Sequence, residues 1–141
     1  MSALAFTLKQ PLKQRVDCSA LTPDGLRGKT GAAIQRIELP MGNTDIAVAE
    51  LFEVTGSDAE HIIFSGECGK LDRIGTGMIG GKIVVEGQVG DYTGLGMKGG
   101  MLYVNGDTGI FAACAMRGGV LQIDGSAGDF LGGSISEQID I

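Results

Sequence analysis

Tryptophan is absent, and proline occurs only three times and histidine once in 141 residues. With His61 alone and cysteines only at 18, 68 and 114, the chain has too few ligands for a His/Cys zinc site. The cysteines are odd in number, far apart and in no C-x-x-C motif, so they read as small buried thiols in a reducing compartment. No run of like charges occurs, and the net charge of -6 gives no basic footprint for nucleic acid or an anionic membrane. Apolar stretches are broken every few residues by glycine, far short of the ~20 residues that span a bilayer. Met1 to Leu8 lacks the basic start and apolar length of a signal peptide, and the expected location is the cytoplasm. The sequence carries no G-x-x-x-x-G-K-[ST] phosphate loop, no G-x-S-x-G elbow and no Ser/His/Asp set.

What is present in excess is glycine: 25 residues, more than twice the roughly 7% of an average protein. Hydrophobic residues still make up 43% and charged residues 20%, which argues for a packed domain and against disorder. No Gly-X-Y register exists, so collagen is excluded.

The glycines mark a repeat. MIGGKIVVEGQVGDYTGLG from Met78, MKGGMLYVNGDTGIFAACA from Met97 and MRGGVLQIDGSAGDFLGGS from Met116 align without a gap at a period of 19. A looser copy from His61 to Gly77 precedes them, offset by 21, and Ile46 to Val54 reads as a lead-in strand. Alternation with period two predicts inward columns Met78/Met97/Met116, Ile83/Leu102/Leu121, Val85/Val104/Ile123 and Tyr92/Phe111/Phe130. The outward columns are Lys82/Met101/Val120, Val84/Tyr103/Gln122 and Glu86/Asn105/Asp124. A unit this short cannot bury its apolar side alone, whereas stacked parallel rungs can. A helix is ruled out, because glycine costs about 1 kcal/mol at each of four or more positions per unit. The expected fold is therefore all-β: a right-handed parallel β-helix, a Gly-rich solenoid of 19-residue rungs, with an N-terminal extension. Its expected divisions are an extension or cap over 1–45, rungs over 46–133, and a cap or truncated rung over 134–141.

Two matches to G-x-G-x-x-G, at Gly75/Gly77/Gly80 and Gly94/Gly96/Gly99, recur with the repeat and are followed by β-runs. A dinucleotide loop would open a helix, so these belong to the rung corners. His61 aligns with Lys82 on an outward column and reads as a surface residue. Asp91 and Asp129 share a column with Ile110 between them, which argues against a required acid. Asp72 and Arg73 interrupt an apolar segment; a local ion pair or corner network fits them, and so does a partner contact. Met101, Tyr103 and Val120 are apolar residues on outward positions and fit an interface. Nothing here earns a catalytic, cofactor-binding or metal-binding assignment.

ELFEVTG (Glu50–Gly56), LDRIGTGMIGGKIVVEGQVG (Leu71–Gly90) and the following M-K-G-G and M-R-G-G rungs resemble the C subunit of formylmethanofuran dehydrogenase. The same solenoid type occurs at the C-terminus of the glutamate synthase large subunit. The stretch TLKQPLKQRVDCSALTPDGLRGKT is similar to the lead-in of the equivalent subunit in the bacterial formyltransferase/hydrolase complex. The resemblance implies a non-catalytic structural subunit in one-carbon metabolism, in either the archaeal redox or the bacterial hydrolytic setting. It also implies amidohydrolase-like and other partner subunits, with the metal and pterin cofactors held in those partners and none in this chain. The alternative is a stand-alone interaction module or homo-oligomer. One departure stands out: the next rung is due at 135, where Ile135 replaces the Met of the motif. Either SISEQIDI is a substitute cap, with Ile139 and Ile141 pairing as a last strand, or the chain is shortened.

Overall fold

A computed structural model describes residues 2–129 and the backbone of 139–140. In chain order the elements are β1 (Ala3–Leu8), β2 (Val16–Asp17), α1 (Pro23–Leu26), α2 (Gly31–Gln35), β3 (Glu38–Met41), β4 (Thr44–Ala47), α3 (Val48–Leu51) and β5 (Phe52–Thr55). They are followed by β6 (Asp58–Ser65), β7 (Leu71–Asp72), β8 (Lys82–Val85), β9 (Met101–Val104), β10 (Val120–Ile123) and β11 (Ile139–Asp140).

The expectation of an all-β parallel β-helix is overturned. The described residues form a mixed α/β fold with two sheets, of order β5-β1-β6-β8-β9-β10-β11 and β4-β3-β2-β7, and three short α-helices. Each sheet mixes pairings: β1 runs parallel to β6 but antiparallel to β5, and β2 parallel to β7 but antiparallel to β3. The reason lies in the N-terminal residues, which carry no glycine repeat and use local signals instead. Thr22 and Thr30 start α1 and α2 by accepting hydrogen bonds from the amides of Gly25 and Ala33, both at 3.1 Å. Pro23 opens α1 at a position where its missing N–H costs nothing. The run Ile46 to Val54, expected as one lead-in strand, is divided among the end of β4, α3 and β5.

From β6 onward the repeat sets the register. Lys82, Met101 and Val120 are paired neighbours across β8, β9 and β10, as are Ile83, Leu102 and Leu121. Backbone bonds continue this stacking beyond the strands, as from Gly94 N to Ile74 O (2.8 Å), Ala113 N to Thr93 O (2.7 Å) and Arg117 N to Met97 O (2.7 Å). Three inward columns are buried as the alternation requires: Met78/Met97/Met116, Ile83/Leu102/Leu121 and Val85/Val104/Ile123. Phe6, Phe52 and Phe64 close the N-terminal end of this core, with Phe6 stacked on Phe64 at 5.2 Å and edge-on to Phe52 at 5.6 Å. Each buried aliphatic side chain contributes about 1.5–3 kcal/mol.

The fourth expected column does not point inward. Tyr92 and Phe111 are half-buried and adopt left-handed backbone (φ 58° and 59°), which turns the side chain away from the core. Thr93 and Ala112, one residue later, occupy the buried position in line with Ile74. Phe130, the third member, lies outside the described residues. Left-handed backbone also recurs at 75/94/113 and 77/96/115, where glycine serves the first two rungs and alanine the third. Replacing Ala115 by glycine removes a Cβ strain of about 1 kcal/mol, so we expect a rise in unfolding free energy of that order by urea titration.

Thr108 is the one buried side-chain polar atom without a partner among the described residues. Its column neighbours are Val89 and Ala127, so the hydroxyl meets an apolar lining. Thr108→Val keeps the shape and removes the unmet group, with an expected stabilisation of about 1 kcal/mol in the same titration.

Candidate interaction surface

The segment joining β1 to β2 crosses the rungs and is tied down at both ends. Lys9 Nζ donates to Ala49 O at 2.6 Å. At the other end Arg15 donates through Nε to Asp72 Oδ2 (2.8 Å) and through Nη2 to Asp72 Oδ1 (2.7 Å), and the same Nη2 lies 3.2 Å from Asp91 Oδ2. The Asp72 hydrogen bond is the main reason the Arg15 guanidinium is held more firmly in its charged form; partial burial opposes it. Asp72 Oδ1 also accepts from Asp91 N at 2.8 Å, Asp91 Oδ1 from Ile110 N at 3.0 Å, and Asp107 Oδ1 from Ser126 N at 2.7 Å. In each case a carboxylate binds the amide 19 residues on. These acids stitch rung to rung, and Ile110 can stand in the Asp91 column because the position beneath it supplies the acceptor.

Arg73 leaves Asp72 and lies over the Tyr92 ring at 4.8 Å, with Asp17 at 4.0 Å. Tyr92 in turn stacks on Phe111 at 5.1 Å and 7°. The column 73/92/111 is thus a cation and two rings in register, all at left-handed φ, and the stacking offsets the backbone strain.

Met101, Tyr103 and Val120 lie together on the outer side of the large sheet. Tyr103 Oη donates to Asp124 Oδ2, the main reason its phenol titrates above the ordinary value. His61 pairs with Lys82 in register on the same side and is half-buried. The structure therefore separates the expected interface residues: Asp72 and Arg73 sit in internal networks at one corner, and the other three share the outer face of the large sheet. Arg15, which binds Asp72 from 57 residues away, carries no local signal that sequence reading could use.

The described residues contain no group of three His, Cys, Asp or Glu placed to hold a metal ion. A cleft of about 570 Å³ is lined by Leu12, Arg15, Cys68, Lys70 and Gln88 among others. Its cations are engaged within the chain: Asp72 and Asp91 bind Arg15, and Lys70 Nζ donates to Lys13 O. Burial pushes the Cys68 thiol up to about 12 and raises Cys18 well above its ordinary value, so neither is a nucleophile at neutral pH. Among the described residues no helix is long and apolar enough to cross a membrane.

Stacked strands in which Asp72, Asp91 and Asp107 each bind the amide 19 residues on define the class: a repeat scaffold. The resemblance read in its rungs to the C subunit of formylmethanofuran dehydrogenase is shown by comparison with known proteins, although no family model matches. The chain is 37% identical over 95 residues to the C subunit of the molybdenum-containing formylmethanofuran dehydrogenase 1 of Methanosarcina barkeri, covering 64% of this chain and 32% of that protein. It is 37% identical over 97 residues to the C subunit of the tungsten-containing formylmethanofuran dehydrogenase 2 of Methanothermobacter thermautotrophicus, covering 65% and 36%. With the C subunit of the formyltransferase/hydrolase complex of Methylorubrum extorquens it shares 33% over 83 residues, covering 59% and 31%. The crystal structure of that complex with methylofuran contains a chain that superposes with a TM-score of 0.85 at 32% identity, over 96% of this chain and 52% of that one. The chain spans about a third of the length of the curated relatives it matches.

Proposed function

We propose that this protein is a non-catalytic structural subunit of a multi-subunit complex that processes formyl groups on a furan-type carrier in one-carbon metabolism. The observation that carries this reading is the likeness over 96% of the chain to a chain of the formyltransferase/hydrolase complex. The internal use of Asp72, Asp91, Asp107, Arg15 and Arg73 supports it, because these side chains maintain the stack.

On this reading an amidohydrolase-like subunit is a direct partner, and metal and pterin cofactors belong to partners. One assembly face carries Met101, Tyr103 and Val120, and Asp72 and Arg73 brace a separate corner of the stack. The working place is the cytoplasm, in keeping with free thiols at Cys18, Cys68 and Cys114. The test is purification of the tagged chain from cells that co-express the amidohydrolase-like subunit of such a complex. A stoichiometric assembly that survives gel filtration is expected; recovery of the chain alone would overturn the proposal.

A further inference from the structure

The outer face of the large sheet carries three rows of side chains that run across the strands. The middle row is Ala5, Ile63, Val84, Tyr103 and Gln122, mostly apolar and half-buried in the single chain. One flanking row is Glu53, Thr7, Ser65, Glu86, Asn105 and Asp124, which holds acids and no cation. The other is His61, Lys82, Met101 and Val120, with exposed Lys98 and Arg117 at the Gly-Gly corners just before β9 and β10. The cations Lys82, Lys98 and Arg117 of that side take part in no salt bridge among the described residues, whereas its acids Asp24, Asp58 and Glu60 are engaged by Arg27 and by the Ile79 and Glu60 amides. Neither Lys82 nor Glu86 takes part in a salt bridge among the described residues.

We infer that this face pairs with a second copy of the same chain. Two-fold axes lying in the interface come in two orientations relative to the strands, and the charges choose between them. An axis along the strands would lay acid row on acid row and cation row on cation row. An axis across the strands, along the middle row, lays each acid row on the cation row of the other copy. It brings Lys82 opposite Glu86 of the partner copy and packs Val84 and Tyr103 against their own counterparts. The interface is isologous, as a closed dimer requires, and the sheets pack face to face with aligned strands. Five strands at the usual spacing and four residues at the usual rise give a patch of roughly 24 by 13 Å. That is below the roughly 800 Å² per partner of a standard interface, so the pair is weak, concentration-dependent and sensitive to salt. The inference deepens the assembly reading by naming the occupant of the contact face, and rests on the proposal that the face is used; heteromeric partners then bind elsewhere on the chain.

Sedimentation of the purified chain at rising concentration, in low and high salt, tests this directly. A dimer that weakens with salt is expected. Lys82→Glu and Glu86→Lys should each weaken it at least about 10-fold, by placing like charges across the axis. The combined K82E/E86K chain should dimerise again, because the two rows have exchanged sign. Both residues are exposed, so the unfolding midpoint should not move. A monomer at every concentration in low salt, a dimer indifferent to both single reversals, or a double variant that fails to recover would each overturn the inference. A monomer that still enters the heteromeric complex would separate its failure from that of the assembly proposal.

Discussion

Alanine at Gly106 lowers the unfolding free energy by about 3 kcal/mol, whereas alanine at Gly80 leaves it within about 0.5 kcal/mol. A Cβ at 106 would meet three backbone atoms of the rung beneath: Gly87 C at 2.6 Å, Gly87 O at 2.7 Å and Gln88 N at 2.8 Å. These atoms belong to a stacked ladder in which Asn105 N is bonded to Val85 O and Gly125 N to Gly106 O, so they cannot withdraw without opening the rungs on both sides. Gly80 has nothing within 4 Å of the same built atom and no left-handed φ. Both are repeat glycines, and only their neighbours differ. Thermal unfolding checks the pair, with a midpoint drop of roughly 10 °C for Gly106→Ala against almost none for Gly80→Ala.

Asp72→Ala is expected to cost about 2–3 kcal/mol and Asp72→Asn about half of that. Alanine removes the acceptor of two Arg15 hydrogen bonds and leaves Asp91 N without its bond, while the Arg15 charge retains only Asp91. Asparagine keeps an oxygen for the amide but loses the charge pair. Part of the Arg15 charge faces solvent, which keeps the cost below that of a fully buried pair. Amide exchange separates the two losses: exchange at Asp91 accelerates in the alanine variant and stays slow in the asparagine variant. Equal stability of all three chains would show that the joint between the N-terminal segment and the rungs is held by packing alone.

How far these interactions were legible in the sequence differs along the chain. Ile83, Leu102 and Leu121 could be placed as paired inward neighbours because a fixed period of 19 fixes both register and facing. Tyr92 and Phe111 were misplaced because alternation assumes extended backbone, and a left-handed residue breaks it. The aromatic column was real, but its position was set by φ, which spacing does not reveal. The N-terminal half escaped for another reason. β1 and β2 each pair in parallel with a strand more than 50 residues away, while β3, β4 and β5 turn back antiparallel. No repeat announces such long-range pairing, and short apolar runs such as Ala3–Leu8 fit either direction. Of the C-terminal residues, Ile139 pairs in parallel with Leu121, and Ile141 lies outside the described residues.

The acids show how a site can be missed for sound reasons. Asp91 looks dispensable in its column because Ile110 follows it, yet Asp91 is what binds the Ile110 amide. Reading a stack requires asking what each rung supplies to the next, in addition to which residue types recur.

The central proposal is that the chain works by assembly and contributes no chemistry of its own. The most direct measurement is reconstitution of formyl-carrier turnover from separately purified partner subunits, with and without this chain. The expected result is that the chain alone is inactive, that it joins the partners in fixed stoichiometry, and that chains altered at Asp72 or Arg73 restore turnover in proportion to how much assembles. Turnover by the isolated chain, or a variant that assembles fully and abolishes turnover, would contradict the claim.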